Sequence, residues 1–321
     1  MNLVITIDTE EDDWGSFRPS GQSLTNIERI PHLQEIFDKF NAKPAYLVTY
    51  PVATNDKSVS ILRGISDRGG CEIGTHCHPW NTPPFDSSVK ENCERGSMLC
   101  NLPEELQYQK IKSLHETIEK NLGVTPVSFR AGRWGYNEKV AAHLLRLNYK
   151  VDTSITPFID WRDNFGLDFS EMSPMAYRFS AGNIFEPSAG GRLLEVPATI
   201  GFFQKNFALS NTVLKLLQKK PFGSMHAVGI MSKLKLINLV WLSPEFSDCA
   251  QMAGLAARMQ KNGHPIVNMF FHSSCLKAGT MPHVRNEDDE KKMLKNITEF
   301  LRFARDEGIE SIMLRDSVRL L

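Results

Sequence analysis

The chain has 321 residues, 41% hydrophobic and 23% charged, and its Lys plus Arg equal its Asp plus Glu at 37 each. That length carries one large domain or two and a sizeable core, while the charge balance excludes a nucleic-acid binder that relies on a broad basic face. A small or neutral partner is expected instead.

The first stretch, Leu3 to Trp14, reads LVITIDTEEDDW. A β-prone strand runs straight into Asp8, Glu10, Glu11, Asp12 and Asp13. Crowded carboxylates repel and raise one another's pKa unless a cation sits among them, so the cluster is either a metal or acid/base site or an acidic turn in water. Asp8 also interrupts the only early apolar run, so no secretory signal is expected and the cytoplasm is the expected location. Six cysteines without a Cys-x-x-Cys pair read as thiols.

Apolar residues at helical spacing predict a helix over 25–40, and Pro44 opens a second strand, AYLVTYPV. A short helix over 59–68 ends at Gly69-Gly70, and a third strand, CEIGT, leads into His76 and His78. The loop over 79–103 is polar. Helices follow over 104–121 and 137–147, with strands at 126–129 and 149–155. From 156 to 244 the order is less legible: IFEPS and LLEVPAT read as strands and 209–219 as a helix. Met225 to Leu242 is apolar but broken by Ser232, Lys233, Lys235 and Asn238, too polar to span a membrane unaided. It reads as a buried helix, with a helix lying on a membrane surface as the alternative. A helix over 247–262, the buried strand PIVNMFF ending at His272, a helix over 287–307 and a strand over 309–314 complete the chain.

This alternation means parallel strands with helical crossovers. No repeat or linker divides it, so one domain over 1–321 is expected, with 156–244 as an elaboration. βα units of this kind close into a barrel whose functional side chains gather where strands end. Asp8, His76, Arg130, Asp152 and His272 each end or nearly end a strand. His76 and His78, two apart in an extended chain, point the same way and can grip one ion, with a carboxylate from the first strand completing an open three-ligand site.

The order of TIDTEED, EIGTHCHPW, FRAGRWG, VDTS and MFFHSS resembles the polysaccharide deacetylases of carbohydrate esterase family 4, the NodB-homology group. It is most similar to the Asp-x-Glu branch that includes proteins of O-antigen gene clusters. The resemblance covers blocks from residue 5 to about residue 280. It implies an α/β fold, a deformed (β/α)7 barrel, and a divalent metal, most often zinc with cobalt or nickel as alternatives, used to remove N-acetyl groups from amino sugars. It further implies Asp8 as general base, Glu10 and His76 as metal ligands, Arg130 as the residue orienting the base, Asp152 in the later acidic motif and His272 as general acid. Asp160-Trp161 is the other candidate for that acidic motif.

One departure stands out. Common members have His-x-x-x-His, but position 80 is Trp80, so His78 must serve as the second metal histidine or the site is altered. Trp80, Trp134 and Phe85 form a sugar-stacking wall or simply pack the loops. Glu11, Asp12 and Asp13 read as loop residues. The expectation is a metal-dependent hydrolase acting on a nucleotide-linked or lipid-linked sugar in bacterial surface polysaccharide synthesis, without a transmembrane segment, though with peripheral membrane contact allowed. The alternatives are a cyclic-imide or allantoin-type amidohydrolase on the same barrel, or a non-catalytic binding descendant.

Overall fold

The computed structural model describes residues 1–12, 15–218 and 238–321. Its strands are β1 (Asn2–Thr9), β2 (Pro44–Val48), β3 (Glu72–Cys77), β4 (Ser128–Ala131), β5 (Val151–Asp152), β6 (Tyr177–Phe179), β7 (Leu193–Glu195), β8 (Ile200–Phe202), β9 (Leu239–Trp241), β10 (Ile266–His272) and β11 (Glu310–Ser311). Its helices are α1 (Ile30–Lys39), α2 (Tyr50–Thr54), α3 (Asp56–Ser66), α4 (Glu104–Leu122), α5 (Glu138–Arg146), α6 (Phe207–Gln218), α7 (Cys249–Lys261) and α8 (Glu287–Asp306). The main sheet runs β10-β1-β2-β3-β4-β5-β7-β6, with β11 also on β1, and only the β6–β7 pair is antiparallel. This is a curled parallel sheet with helical crossovers, the deformed barrel expected of the sequence.

Alternation along β1 sets the two sides of that sheet. Leu3, Ile5 and Ile7 join the larger core, which also takes in α1, α4, α7 and α8. Val4 instead packs with Ala45, Leu47, Val151, Leu194, Val196 and Ile266 in a smaller cluster inside the curl. Each large side chain so buried stabilises the fold by roughly 1.5–3 kcal/mol. Between β7 and β10 the curl is bridged by short segments: Thr199 and Asn268 exchange hydrogen bonds, and the Phe270 amide donates to the Leu242 carbonyl.

Local chemistry explains most of the helix ends. Asn137 caps α5 through the Val140 amide, Asp248 and Gln251 form a reciprocal capping box on α7, and Gly123 closes α4 at φ 73°, a conformation that suits glycine. The helix expected over 25–40 is divided. Thr25–Arg29 is a 3-10 turn and α1 begins at Ile30, with Pro31 in its first turn, where a missing amide costs nothing. IFEPS is not a strand; its chain turns there, after Tyr177 hydroxyl donates to the Ile184 carbonyl. Of the apolar stretch Met225 to Leu242, residues 239–241 form β9 and most of the rest lies outside the described residues. Among the described residues no helix is long and apolar enough to cross a membrane.

Candidate active site

Along the inner side of β1, apolar Val4 gives way to Thr6 and then Asp8, with Glu10 one step beyond the strand. Parallel register fixes the neighbours: Asp8 lies beside His272 of β10, and His76 of β3 beside Arg130 of β4. Four side chains distant in sequence thus emerge together, because adjacent residues in parallel strands present their side chains to the same side.

His76 and His78 do point the same way, with their Nε2 atoms 3.0 Å apart. Their other ring nitrogens decide the tautomers. His76 Nδ1 lies 3.2 Å from the Arg130 carbonyl oxygen, and His78 Nδ1 lies 3.0 Å from Glu11 Oε1. Both partners only accept, so each Nδ1 carries the hydrogen, and in the neutral rings both Nε2 atoms present lone pairs. Glu10 Oε2 stands 3.4 Å from His78 Nε2 and 3.7 Å from His76 Nε2. Two facing lone pairs and a carboxylate, all buried, repel one another unless a cation lies between them. This donor set fits one divalent ion.

The ring of His78 is held from three sides. Glu11 also accepts from Asn81 Nδ2 at 2.6 Å and Thr49 Oγ1 at 3.2 Å, and Trp80 stacks on the imidazole with centroids 4.1 Å apart. Burial alone would lower the His78 pKa, but the adjacent Glu11 carboxylate outweighs it and the value rises. Glu11 is therefore no loop acid. Nor is Asp12, whose carboxylate accepts from Ser23, Thr25 and Asn26 and so ties down the turn before α1. Asp13 lies outside the described residues.

Asp8 faces a second set of groups. Arg130, fully buried, donates to Asp8 Oδ1 at 2.7 Å, to Thr6 Oγ1 at 2.6 Å and to the Thr153 carbonyl at 3.0 Å. Burial pushes the Asp8 pKa up, yet Arg130, His76 and His272 together bring it down to about 2. Its other oxygen lies 3.6 Å from His272 Nε2. On the far side of that ring, Nδ1 sits 3.0 and 3.2 Å from the two oxygens of Glu245, which also accepts from the His272 backbone amide. Burial would favour neutral imidazole, but Glu245, with Glu10 and Asp8, raises the His272 pKa to about 10. Glu245 escapes notice in the sequence because it falls between the less legible stretch over 156–244 and the helix predicted from 247, in no predicted element.

Asp152 is placed behind the site, not in it. Its carboxylate accepts from the amide and hydroxyl of Ser154, whose oxygen in turn accepts from the Ala131 amide at 2.9 Å. It pairs with buried Glu195, and neither lines the pocket. Asp160 is no replacement, being half exposed and ion-paired with Arg162. A carboxylate inside the apolar strand LLEVPAT was the available sign of Glu195.

Above these groups lies a cavity of about 360 Å³ that reaches Asp8, Glu10, His76, His78 and His272. Its walls include Phe17, Trp80, Trp134, Trp161, Trp241 and Phe246. Trp134 covers the Arg130 guanidinium at 5.0 Å and meets Phe270 edge-on. Phe85 does not line it and is 53% exposed. Arg133 and Trp134 both hold left-handed backbone, φ 54° and 61°, between Gly132 and Gly135.

No family model matches the chain, and no curated protein does. Solved structures do resemble it. A protein described as a polysaccharide deacetylase from Mycobacterium smegmatis matches 97% of this chain and 92% of its own at 13% identity and TM-score 0.49. A family 4 carbohydrate esterase from Streptomyces lividans matches the same shares at 10% identity and TM-score 0.45. The 4-alpha-glucanotransferase from Thermococcus litoralis matches 100% of this chain and 40% of its own at 13% identity and TM-score 0.53. The likeness is one of fold. The deacetylase family that the sequence motifs resemble is represented among these structures.

Proposed function

We propose that the chain is a metal-dependent amide hydrolase that removes the acetyl group from an N-acetylated sugar. The observation that carries this reading is the pairing of two bare imidazole nitrogens, 3.0 Å apart and beside Glu10, with an Asp8–His272 pair alongside them. Glu10, His76 and His78 would hold the ion. Nitrogen and carboxylate donors suit zinc, with cobalt or nickel as substitutes. When bound, such an ion polarises the amide carbonyl and acidifies water.

The chain's own residues supply the proton transfers. Asp8, kept ionised by Arg130, accepts a proton from the attacking water at Oδ2, the oxygen Arg130 leaves free. His272, kept protonated by Glu245, donates from Nε2 to the departing nitrogen as the C–N bond breaks, giving acetate and a free amine. The two groups face each other, with Asp8 Oδ2 3.6 Å from His272 Nε2. The cavity volume lies in the range of small-ligand pockets, and aromatic faces on its walls suit the apolar faces of a pyranose.

Similarity of the motifs to the O-antigen branch makes a nucleotide-linked or lipid-linked precursor the proposed form of the substrate. Release of acetate only from polymeric wall material would overturn that step. Metal content and acetate release, measured in parallel for wild type, His78→Ala and Asp8→Asn, test the chemistry. His78→Ala is expected to lose metal, and Asp8→Asn to keep it while losing turnover. Wild-type protein that holds no zinc, cobalt or nickel and gains none on titration would sink the proposal.

A further inference from the structure

The buried side of α4 carries Leu106, Ile111, Leu114 and Ile118, and among them stands Lys110, fully buried and one turn from both Leu106 and Leu114. A lysine is almost never buried in this way unless its charge is met. Here four oxygens meet it. Nζ donates to the carbonyls of Pro79 at 2.9 Å, Thr82 at 2.6 Å and Pro84 at 2.8 Å, and to Glu91 Oε2 at 2.9 Å. The Phe85 ring lies over the ammonium at 4.8 Å, which gives a reason for an aromatic side chain that stands away from the cavity.

Neither proton transfer uses Lys110, yet the loop it holds leads straight out of the metal residues. Pro79 and Thr82 flank Trp80 and Asn81, the two residues that support His78. Trp80 stacks on the imidazole, and Asn81 donates to Glu11, which accepts from His78 Nδ1. The amides of Asn81 and Thr82 turn back to the His78 carbonyl, at 3.4 and 3.1 Å, so the end of β3 and the start of the loop form one turn.

We infer that Lys110 is a positioning residue for the metal site, its ammonium gathering the carbonyls on both sides of Trp80 and Asn81 and so fixing the support of His78. The side chain acts as a built-in monovalent cation. Backbone carbonyls and a carboxylate around one centre are the kind of oxygen cage that a free monovalent cation takes. A loop that only had to cover α4 would be served by apolar side chains, without the desolvation that a buried ammonium costs. The inference rests on the metal-binding reading of Glu10, His76 and His78 proposed above.

Zinc affinity from competition with a chelator, read beside circular dichroism and thermal melts, tests it on the full chain. Lys110→Ala is expected to lower the affinity about 10–100-fold, the loss that follows removal of a ligand's support. Ammonium chloride, whose cation matches the lost group in charge and donors, should restore most of that loss. Tetramethylammonium chloride at the same ionic strength should restore none, and wild type should respond to neither. A purely structural lysine would lower the melting temperature and leave the affinity of the folded protein unchanged. Lys110→Arg keeps the charge and is the second variant should alanine not fold; its planar fork cannot gather three carbonyls around one nitrogen, so the affinity should again fall. Wild-type affinity in either folded variant, or a loss that ammonium repairs no better than tetramethylammonium, overturns the inference while the metal site stands. Wild-type protein that binds no zinc overturns the metal site and this inference together.

Discussion

Gly132 lies so close beneath the imidazole of His78 that a methyl group on its Cα would come within 2.5 Å of His78 Cδ2 and 2.8 Å of the Cys77 carbonyl oxygen. The glycine is there for the ring. Gly132→Ala must therefore displace His78 from Glu11 and from the facing Nε2 of His76. Displacing a ligand's support costs about 10–100-fold in metal affinity, and competition with a chelator measures it. Unchanged affinity would show that His78 is not a ligand.

Glu245 acts on His272 at a distance from any ligand nitrogen. Glu245→Gln keeps an acceptor for Nδ1 but removes the charge, so the His272 pKa falls from its raised value near 10. Because the proposed donor must be protonated, activity should drop on the alkaline side first, and the alkaline limb of the kcat/KM profile should move to lower pH. A loss on the order of 10²-fold near neutral pH is expected with metal content unchanged. A profile that keeps its alkaline limb would remove His272 from the acid role.

Asp152 and Glu195 form a buried carboxyl pair that holds a proton. Burial raises both, Asp152 to about 6 and Glu195 well above its ordinary value, with the negative charge of Asp152 adding to the latter. The folded state then binds more protons than the unfolded chain, whose carboxyls titrate near 4, so stability declines as pH rises through 4 to 6 and beyond. Glu195→Gln should flatten that decline and gain on the order of 1–3 kcal/mol at pH 8, with little change at pH 4. Thermal melts across this range provide the check, and a variant as steeply pH-dependent as wild type would show that no proton is shared.

The tryptophans divide into two kinds. Both Trp80 and Trp161 line the cavity, but Trp80 also stacks on His78, a proposed metal ligand, whereas Trp161 is tied by its Nε1 to Thr156 at 2.7 Å. Trp161→Ala should raise KM about 3–10-fold with kcat nearly unchanged, the size of one lost stacking contact. Trp80→Ala should instead weaken metal binding. Steady-state kinetics beside metal titration separates the two, and identical effects would contradict the division.

Much of this was legible in the one-dimensional order. Strand and helix periodicity exposed the parallel α/β plan, because a strand buried on both sides reads as an apolar run and a crossover helix as a 3.6-residue repeat. The ends of those runs named Asp8, His76, Arg130 and His272, and a two-residue spacing on an extended chain already required His76 and His78 to share a side. Sequence by itself thus determined which chemical groups stand at strand ends, since local backbone period is a local property.

Which groups face one another was decided only by tertiary structure. Glu11 looked like one of several loop acids until Thr49, Asn81 and His78 were found around it, and Asp152 looked catalytic until Glu195 and Ser154 enclosed it. Glu245 belongs to no predicted element and reaches His272 across 27 positions of sequence. Such pairings depend on the register between strands and on the curl of the sheet. Neither leaves a local mark, because hydrogen bonding between parallel strands is carried by backbone atoms that every residue shares.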